Sequence, residues 1–242
     1  MQGYEEIFIK RGRSYHSAMA KSPDARVEEF NLMVEFISPQ KDGRILDLPA
    51  GGGYLKRYLP PNLSYLAYDF SGEFDDNHTG VRKCKEATID LSSESVDVVA
   101  SLAALHHIVD RDSFYGEMHR TLKSNGQFIL GDVVEGSKPD YFLNVFVNRW
   151  NSMGHTGRFM DAEVDSHELE GAGFSVEFRR KSFYWNFQNK TEAMDFFRNL
   201  FYLDKNPSKK ELFEALSQLG CVQENNRFRV KWSLGFLLAK KG

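Results

Sequence analysis

Three groups of residues have the types and spacing to do chemistry. Gly51, Gly52 and Gly53 follow the apolar run RILDLPA (44–50). Three consecutive glycines are too flexible for the middle of a helix or strand, so they read as a loop that a ligand approaches closely. At the carboxyl end of a strand and leading into the helical pattern YLKRYL, such a loop turns backbone N–H groups toward an anion, either a phosphate or a carboxylate. Asp69 stands 22 positions after Asp47, at the end of a second apolar run, LSYLAYDF (63–70). A carboxylate there can accept from two vicinal hydroxyls at once, and Phe70 beside it offers a ring to a base. His106 and His107 close a third run, where an imidazole can take a proton near neutral pH. Adjacent side chains point in different directions, so one of the two is expected to face a pocket and the other to cap a helix. Asp132 ends a fourth run.

The elements that must position these residues alternate between short strands and amphipathic helices, which argues for a sheet covered on both faces. Strands are expected at 44–48, 63–70, 95–102, 126–133, 174–187 and 229–241, with an antiparallel pair closing the sheet. Helices are expected at 26–37, directly after the glycines, at 112–122 and at 162–174. Residues 134–160 and 190–220 do not fit a minimal alternation. The second reads as two helices, with Phe196, Phe197, Leu200 and Phe201 striping one and Leu212, Phe213, Leu216 and Leu219 the other. Both follow strands, where loops form the ligand crevice of an open α/β sheet. They read as caps over a substrate, or else as extra core helices.

Composition sets the class. With 41% hydrophobic and 27% charged residues, the chain suits an ordinary globular fold able to bury a sizeable core. Cys84 and Cys221 lack C-x-x-C spacing, so no zinc or redox motif and no metal is expected. MQGYEEIFIKRGR has no apolar core of a signal peptide, and no run approaches the roughly 20 residues of a membrane span. A cytoplasmic protein without a membrane partner is the expectation. The net charge of −3 hides a basic tail: residues 179–242 hold 13 Lys and Arg against 6 Asp and Glu. That excess could steer an anionic substrate, but no aromatic-and-basic motif points to nucleic acid.

The dinucleotide fingerprint G-x-G-x-x-G fails, because Lys56 stands where a third glycine would. LDLPAGGG followed by Asp69 instead resembles the first two motifs of the class I S-adenosylmethionine-dependent methyltransferases. KEATIDLSSESVDVVASLAALHHI, GQFILGDV and EGAGF continue the resemblance over about 40–180, with the closing strand near 230–240. The resemblance implies a Rossmann-like, doubly wound, seven-stranded sheet, mostly parallel with an antiparallel last strand. It implies one domain over 1–242, with N-terminal lid helices at 1–40 and cap insertions at 134–160 and 190–220. It also implies S-adenosyl-L-methionine as cofactor and S-adenosyl-L-homocysteine as product. Asp47, Ala50, Gly51 and Gly53 would surround the methionyl part, Tyr15 would close over it, and Leu102 would also line the cofactor. Asp69 would bind the ribose and Phe70 would meet the adenine. Ala87 and Thr88 would contact the adenine edge, with Glu86 or Asp90 accepting from its amino group. Where the family usually has Gly this chain has Pro49, which donates no N–H. Anion binding is therefore expected from the backbone of residues 50–53, with Gly52 merely loosening the loop.

His107, His106 and Asp132 are the candidates for chemistry, His107 being the better placed to line the cofactor. Asn148, Trp150, His155 and Arg158 are candidate substrate contacts in the roof. Methyl transfer is an in-line displacement, so positioning dominates. Aromatics in and around the insertions favour an apolar or aromatic acceptor, with O-methylation preferred over N or C and a monomer or homodimer expected. The alternatives are a nicotinamide-dependent oxidoreductase and a non-catalytic S-adenosylmethionine-binding subunit.

Overall fold

The computed structural model describes residues 3–37, 43–74, 80–86, 88–155, 157–224 and 226–242. Among the described residues eight strands form one sheet: β1 (Arg44–Asp47), β2 (Ser64–Asp69), β3 (Val81–Lys83), β4 (Val96–Leu102), β5 (Leu122–Asp132), β6 (Phe174–Phe187), β7 (Cys221–Glu224) and β8 (Arg227–Lys241). Seven follow the order β3-β2-β1-β4-β5-β8-β6, and β7 adds an eighth as a hairpin on β8. β1 to β5 pair in parallel, while β8 runs antiparallel to both β5 and β6. The sheet is therefore Rossmann-like and mostly parallel, one strand larger than the sequence reading.

Alternation along the strands explains the layering, because successive residues point to opposite faces. Ile45, Val98 and Ile129 face one core with α2 (Val27–Glu35), α7 (Lys190–Leu200) and α8 (Lys209–Leu219). Leu46, Val99, Phe128 and Leu130 face the other, with α1 (Tyr4–Lys21), α3 (Arg111–Thr121) and α6 (Ala162–Gly171). α4 (Lys138–Tyr141) runs into a π-helical stretch, Phe142–Val147, and then into α5 (Asn148–Trp150).

One expected element is much reduced. After the glycines only a single 3₁₀ stretch forms, Tyr54–Tyr58. Pro60 and Pro61 stop it, since the residue before a proline is driven out of the helical region, and Leu59 is indeed extended at φ −74°, ψ 146°. β6 and β8 are long, pair along their whole shared length, and carry Trp185 and Trp232 stacked at 4.5 Å.

Candidate functional site

The parallel strands all end at one edge, and their following loops meet there, as expected for an open α/β sheet. Asp47 ends β1, Asp69 ends β2, Leu102 ends β4 and Asp132 ends β5. A cavity opens among these loops. One wall is the glycine loop with Pro49, Ala50 and Gly51, and another is Leu102 to Ala104 with His106 and His107. Leu143, His155, Trp185, Phe201 and Trp232 close the far side.

The glycine loop makes its turn through left-handed backbone at Gly51 (φ +54°) and Gly53 (φ +72°), conformations that a side chain resists. Its donors are mostly engaged within the protein. Ala50 N–H donates to Tyr68 O (2.8 Å), Gly51 N–H to Asp69 Oδ2 (2.8 Å) and Gly53 N–H to Ala50 O (3.0 Å), so the loop offers fewer free N–H groups than its sequence suggests. Gly52 does more than loosen the loop. A Cβ there would come within 2.7 Å of the Tyr54 ring and hydroxyl, so glycine lets Tyr54 fold over the turn and reach His16 Nδ1 at 2.8 Å.

Asp69 is fully buried and does not line the cavity. Its carboxylate accepts from Ser71 N–H (2.8 Å), Gly51 N–H (2.8 Å) and the Tyr4 hydroxyl (3.0 Å). Burial pushes this carboxyl up to about 7, against those hydrogen bonds. Asp47, which lines the cavity and accepts from Tyr65 Oη at 2.6 Å, is also pushed by burial up to about 7, with the charge of Asp69 adding to the rise.

α1 presents Tyr4, Phe8, Arg11 and Tyr15 to the cavity from one face, the i, i+4, i+7, i+11 stripe of a helix. Phe8 stacks on Tyr4 at 4.4 Å. Arg11 is 5% exposed, and its Nε has no hydrogen-bond partner. Burial pushes the Arg11 guanidinium down to about 10; it lies over the Phe8 ring at 5.1 Å and has no acidic partner among the described residues, a setting that favours an anion. The neighbouring Arg26 is satisfied: it forks onto Glu29 at 2.7 Å through Nε and Nη2 and donates to Tyr15 Oη at 2.6 Å. Glu29 also accepts from Trp185 Nε1 at 2.8 Å.

His106 and His107 both line the cavity, because they sit in one tight 3₁₀ turn, Leu105–His107, that brings their ring centroids to 4.0 Å. His155 joins them, 5.5 Å from His106 and 5.4 Å from His107. Asp132 lies beneath, accepting from His106 Nδ1 at 2.8 Å and from Val133 N–H at 2.6 Å. Burial, the other imidazoles and Arg11 hold His107 and His155 well below the ordinary histidine value, so both are neutral near pH 7.

The other expected site residues scatter. Phe70 is core, edge-on to Tyr4 at 5.4 Å and to Phe114 at 6.3 Å. Thr88 and Asp90 are exposed, Glu86 is half-buried, and Ala87 lies outside the described residues. Asn148 positions the roof by accepting from His155 N–H at 2.8 Å. Trp150 faces a second cavity between α4 and α8, and Arg158 turns outward to Glu168 at 2.7 Å. Sequence reasoning missed Tyr4, Phe8 and Arg11, although their spacing marks one helical face, and it missed Arg26, Glu29, Tyr54 and Trp232 as lining residues.

The residues present fit the cofactor that the resemblance implies. The glycine loop and Asp47 line the cavity, Arg11 brings a buried positive charge to it, and Tyr4, which lines it, is hydrogen-bonded to Asp69.

Comparison with known proteins agrees with this geometry. The family model described as a methyltransferase domain matches residues 46–130. An uncharacterized methyltransferase of Bacillus subtilis, YcgJ, is 24% identical over 141 residues, 53% of this chain and 55% of the relative. The chain thus aligns with about half the length of that curated relative. Its crystal structure superposes with a TM-score of 0.63 at 18% identity, covering 89% of this chain and 99% of the other. A Thermotoga maritima structure described as a possible histamine N-methyltransferase gives 0.62 at 17% identity, covering 98% and 99%. Phosphoethanolamine N-methyltransferase 2 of Haemonchus contortus, solved with S-adenosyl-L-methionine, gives 0.63 at 16%, covering 100% and 60%. No helix among the described residues is long and apolar enough to cross a membrane. The match to the methyltransferase domain takes in the strands that carry the glycine loop and Asp69, and the chain shares the fold of these solved structures.

Proposed function

We propose that the chain transfers a methyl group from S-adenosylmethionine, in the cytoplasm, to a small organic molecule held in the cavity, and that the acceptor atom is an oxygen. The observation carrying this reading is the single cavity in which a strand-end glycine loop faces buried imidazoles and an unpaired guanidinium. When bound, the cofactor supplies an electrophilic methyl group on a sulfonium. Asp69 would hold the ribose once Tyr4 moves aside, and Asp47, Ala50, Gly51, Gly53 and Leu102 would surround the methionyl part. Residues 1–40, 134–160 and 190–220 read as lid and caps of a single unit over 1–242, since α1 gives the Tyr4 to Tyr15 stripe and the insertions give Leu143, His155, Leu200 and Phe201 to the wall.

The apolar wall of Leu143, Trp185, Phe201 and Trp232 would exclude water and fix the acceptor, the main contribution a protein can make to an in-line displacement. His107 is unprotonated and can accept a proton. Its lowered basicity matches acceptors that are already acidic, such as a phenol or an enol. Arg11 favours such an acceptor as its oxyanion and disfavours a protonated amine, which is why oxygen is preferred over nitrogen.

Calorimetry with S-adenosylhomocysteine tests the cofactor half. Asp69→Ala should weaken binding more than tenfold, since a hydrogen bond to a charged group contributes about 1.5–3 kcal/mol. Unchanged affinity would place the ribose elsewhere, and thermal protection by NAD(H) alone would overturn the reading. Release of S-adenosylhomocysteine with a metabolite extract tests turnover, and silence across a broad panel would favour a non-catalytic subunit.

A further inference from the structure

The three histidines of the cavity form a donor set that nothing in the sequence announces. The nearest ring nitrogens of His106, His107 and His155 all lie within 4.8 Å of one another, and the three residues are 6%, 3% and 4% exposed. They come from two different loops. His106 and His107 follow β4, while His155 follows Gly154, whose left-handed backbone (φ +73°) returns the chain toward the sheet. Gly157 then packs flush on the first loop, where an added Cβ would meet the His106 ring and carbonyl at about 3.0–3.1 Å.

The tautomer of His106 is fixed by its support. A carboxylate oxygen accepts, so the 2.8 Å contact with Asp132 places a proton on His106 Nδ1 and makes Nε2 the atom it can offer to an ion. This carboxylate–histidine arrangement is the one that orients metal-bound imidazoles. Asp132 is itself held by the N–H groups of His106 (3.0 Å) and Val133 (2.6 Å). His155 Nδ1 lies 3.4 Å from Asn144 Oδ1. The His107 ring makes aromatic contacts with Tyr4, Phe8 and the other two imidazoles and no hydrogen bond to the described residues. A structural role in packing would be better filled by an apolar ring, since burying a polar group without a partner is unfavourable.

We infer that His106, His107 and His155 bind a divalent first-row transition-metal ion, such as Zn²⁺ or Fe²⁺, whose open positions face the cavity and take an oxygen anion of the bound molecule. Three imidazoles suit such ions, and three protein ligands leave a position open. Tetrahedral coordination at metal–nitrogen distances of about 2.0–2.1 Å needs the donor atoms roughly 3.4 Å apart, so binding an ion would draw these nitrogens, now within 4.8 Å, closer together. Arg11 sets the ligand class. It lines the same cavity as the three histidines, and an anion between a dication and the guanidinium would relieve their repulsion. With the ion bound His107 is a ligand and not the base, so a hydroxyl of the acceptor would lose its proton to water on binding, leaving its oxygen on the ion and facing Arg11. The metal site rests on the side chains alone, whereas this role for the open positions rests on the methyl-transfer reading.

Tag-free, metal-stripped protein titrated with Co²⁺ tests the site by visible absorption. The expected result is one saturable equivalent with the bands of low-coordinate cobalt. His107→Ala and His155→Gln should each weaken binding by at least about 100-fold and Asp132→Asn by roughly 10–100-fold, while the exposed His167→Ala leaves it unchanged. The melting temperature of each metal-free variant reports folding, and Zn²⁺ should raise it only where the three histidines are intact. Folded wild-type protein without the cobalt bands, or bands that persist in a His107→Ala/His155→Gln double variant, would overturn the site. Acetate added to the cobalt form should shift the bands, with half-saturation raised roughly tenfold in Arg11→Gln; no shift would overturn the oxyanion role. Failure of cobalt binding with normal S-adenosylhomocysteine affinity would sink this inference and leave the methyltransferase reading standing, and the converse result would do the reverse.

Discussion

Tyr4→Phe removes one oxygen atom and should tighten cofactor binding. The Tyr4 hydroxyl donates to Asp69 Oδ2 at 3.0 Å, and the proposed ribose hydroxyls need that acceptor. In the wild type, binding must first break this bond. A hydrogen bond to a carboxylate contributes about 1.5–3 kcal/mol, and every 1.4 kcal/mol or so is a factor of ten in affinity. Phenylalanine keeps the stacking on Phe8 at 4.4 Å and the edge contact with Phe70 at 5.4 Å, so α1 should stay docked. Asp69 retains Gly51 and Ser71 N–H as donors, which limits the loss of fold stability to about the same 1.5–3 kcal/mol. Calorimetric titration with S-adenosylhomocysteine should therefore show roughly 10–100-fold tighter binding, with a lower melting temperature for the unliganded variant. Unchanged or weaker binding would refute the competition. It would mean that Tyr4 keeps its bond in the complex, or that Asp69 is not the ribose acceptor.

Other perturbations probe the same region. Asp47 and Asp69 have folded values near 7 against the ordinary 3.8, so the folded state binds protons more tightly. The stability they confer is present below the unfolded value and is lost as pH rises from about 4 to about 7. Asp47→Asn should remove up to about 1.4 kcal/mol per pH unit of that slope, measured by urea denaturation from pH 4 to 8; an unchanged slope would refute the burial argument. Gly52→Ala should only swing Tyr54 off His16, whereas Gly51→Ala places a Cβ at φ +54° and should cost about 1–2 kcal/mol. Equal denaturation midpoints for the two would contradict the assigned backbone.

How far the sequence reveals the fold depends on element length. The long apolar runs gave β4, β5, β6 and β8 within a few residues, and the stripes of Phe196, Phe197 and Leu200 and of Leu212, Leu216 and Leu219 marked α7 and α8. β3 and β7, at three and four residues, are too short to show a period of two. Both exist because a neighbouring strand offers an open edge, β2 in one case and β8 in the other. The helix expected after the glycines failed for a local reason visible in the sequence, the pair Pro60 and Pro61.

The site is legible where function is carried by backbone and illegible where it is carried by convergence. Gly51, Gly53 and Asp69 announce themselves because a strand, a turn and a strand end fix their places within one βαβ-like unit. His155 stands out in sequence only as one of four candidate roof residues, and its place beside His106 and His107 depends on the Gly154 turn and on Gly157 lying flat against His106, contacts made across 48 positions of chain. Arg11 is hidden for a different reason. In KRGRSYHSAM it is one of several cations of what looks like a solvated helix, and only the packing of α1, through Gly12 on Glu73 and Tyr4 on Asp69, turns that particular guanidinium inward. Charge in a sequence therefore says little until its solvent is known. The same arginine, once buried beside three imidazoles in one cavity, is the feature that on the proposed reading selects an anion.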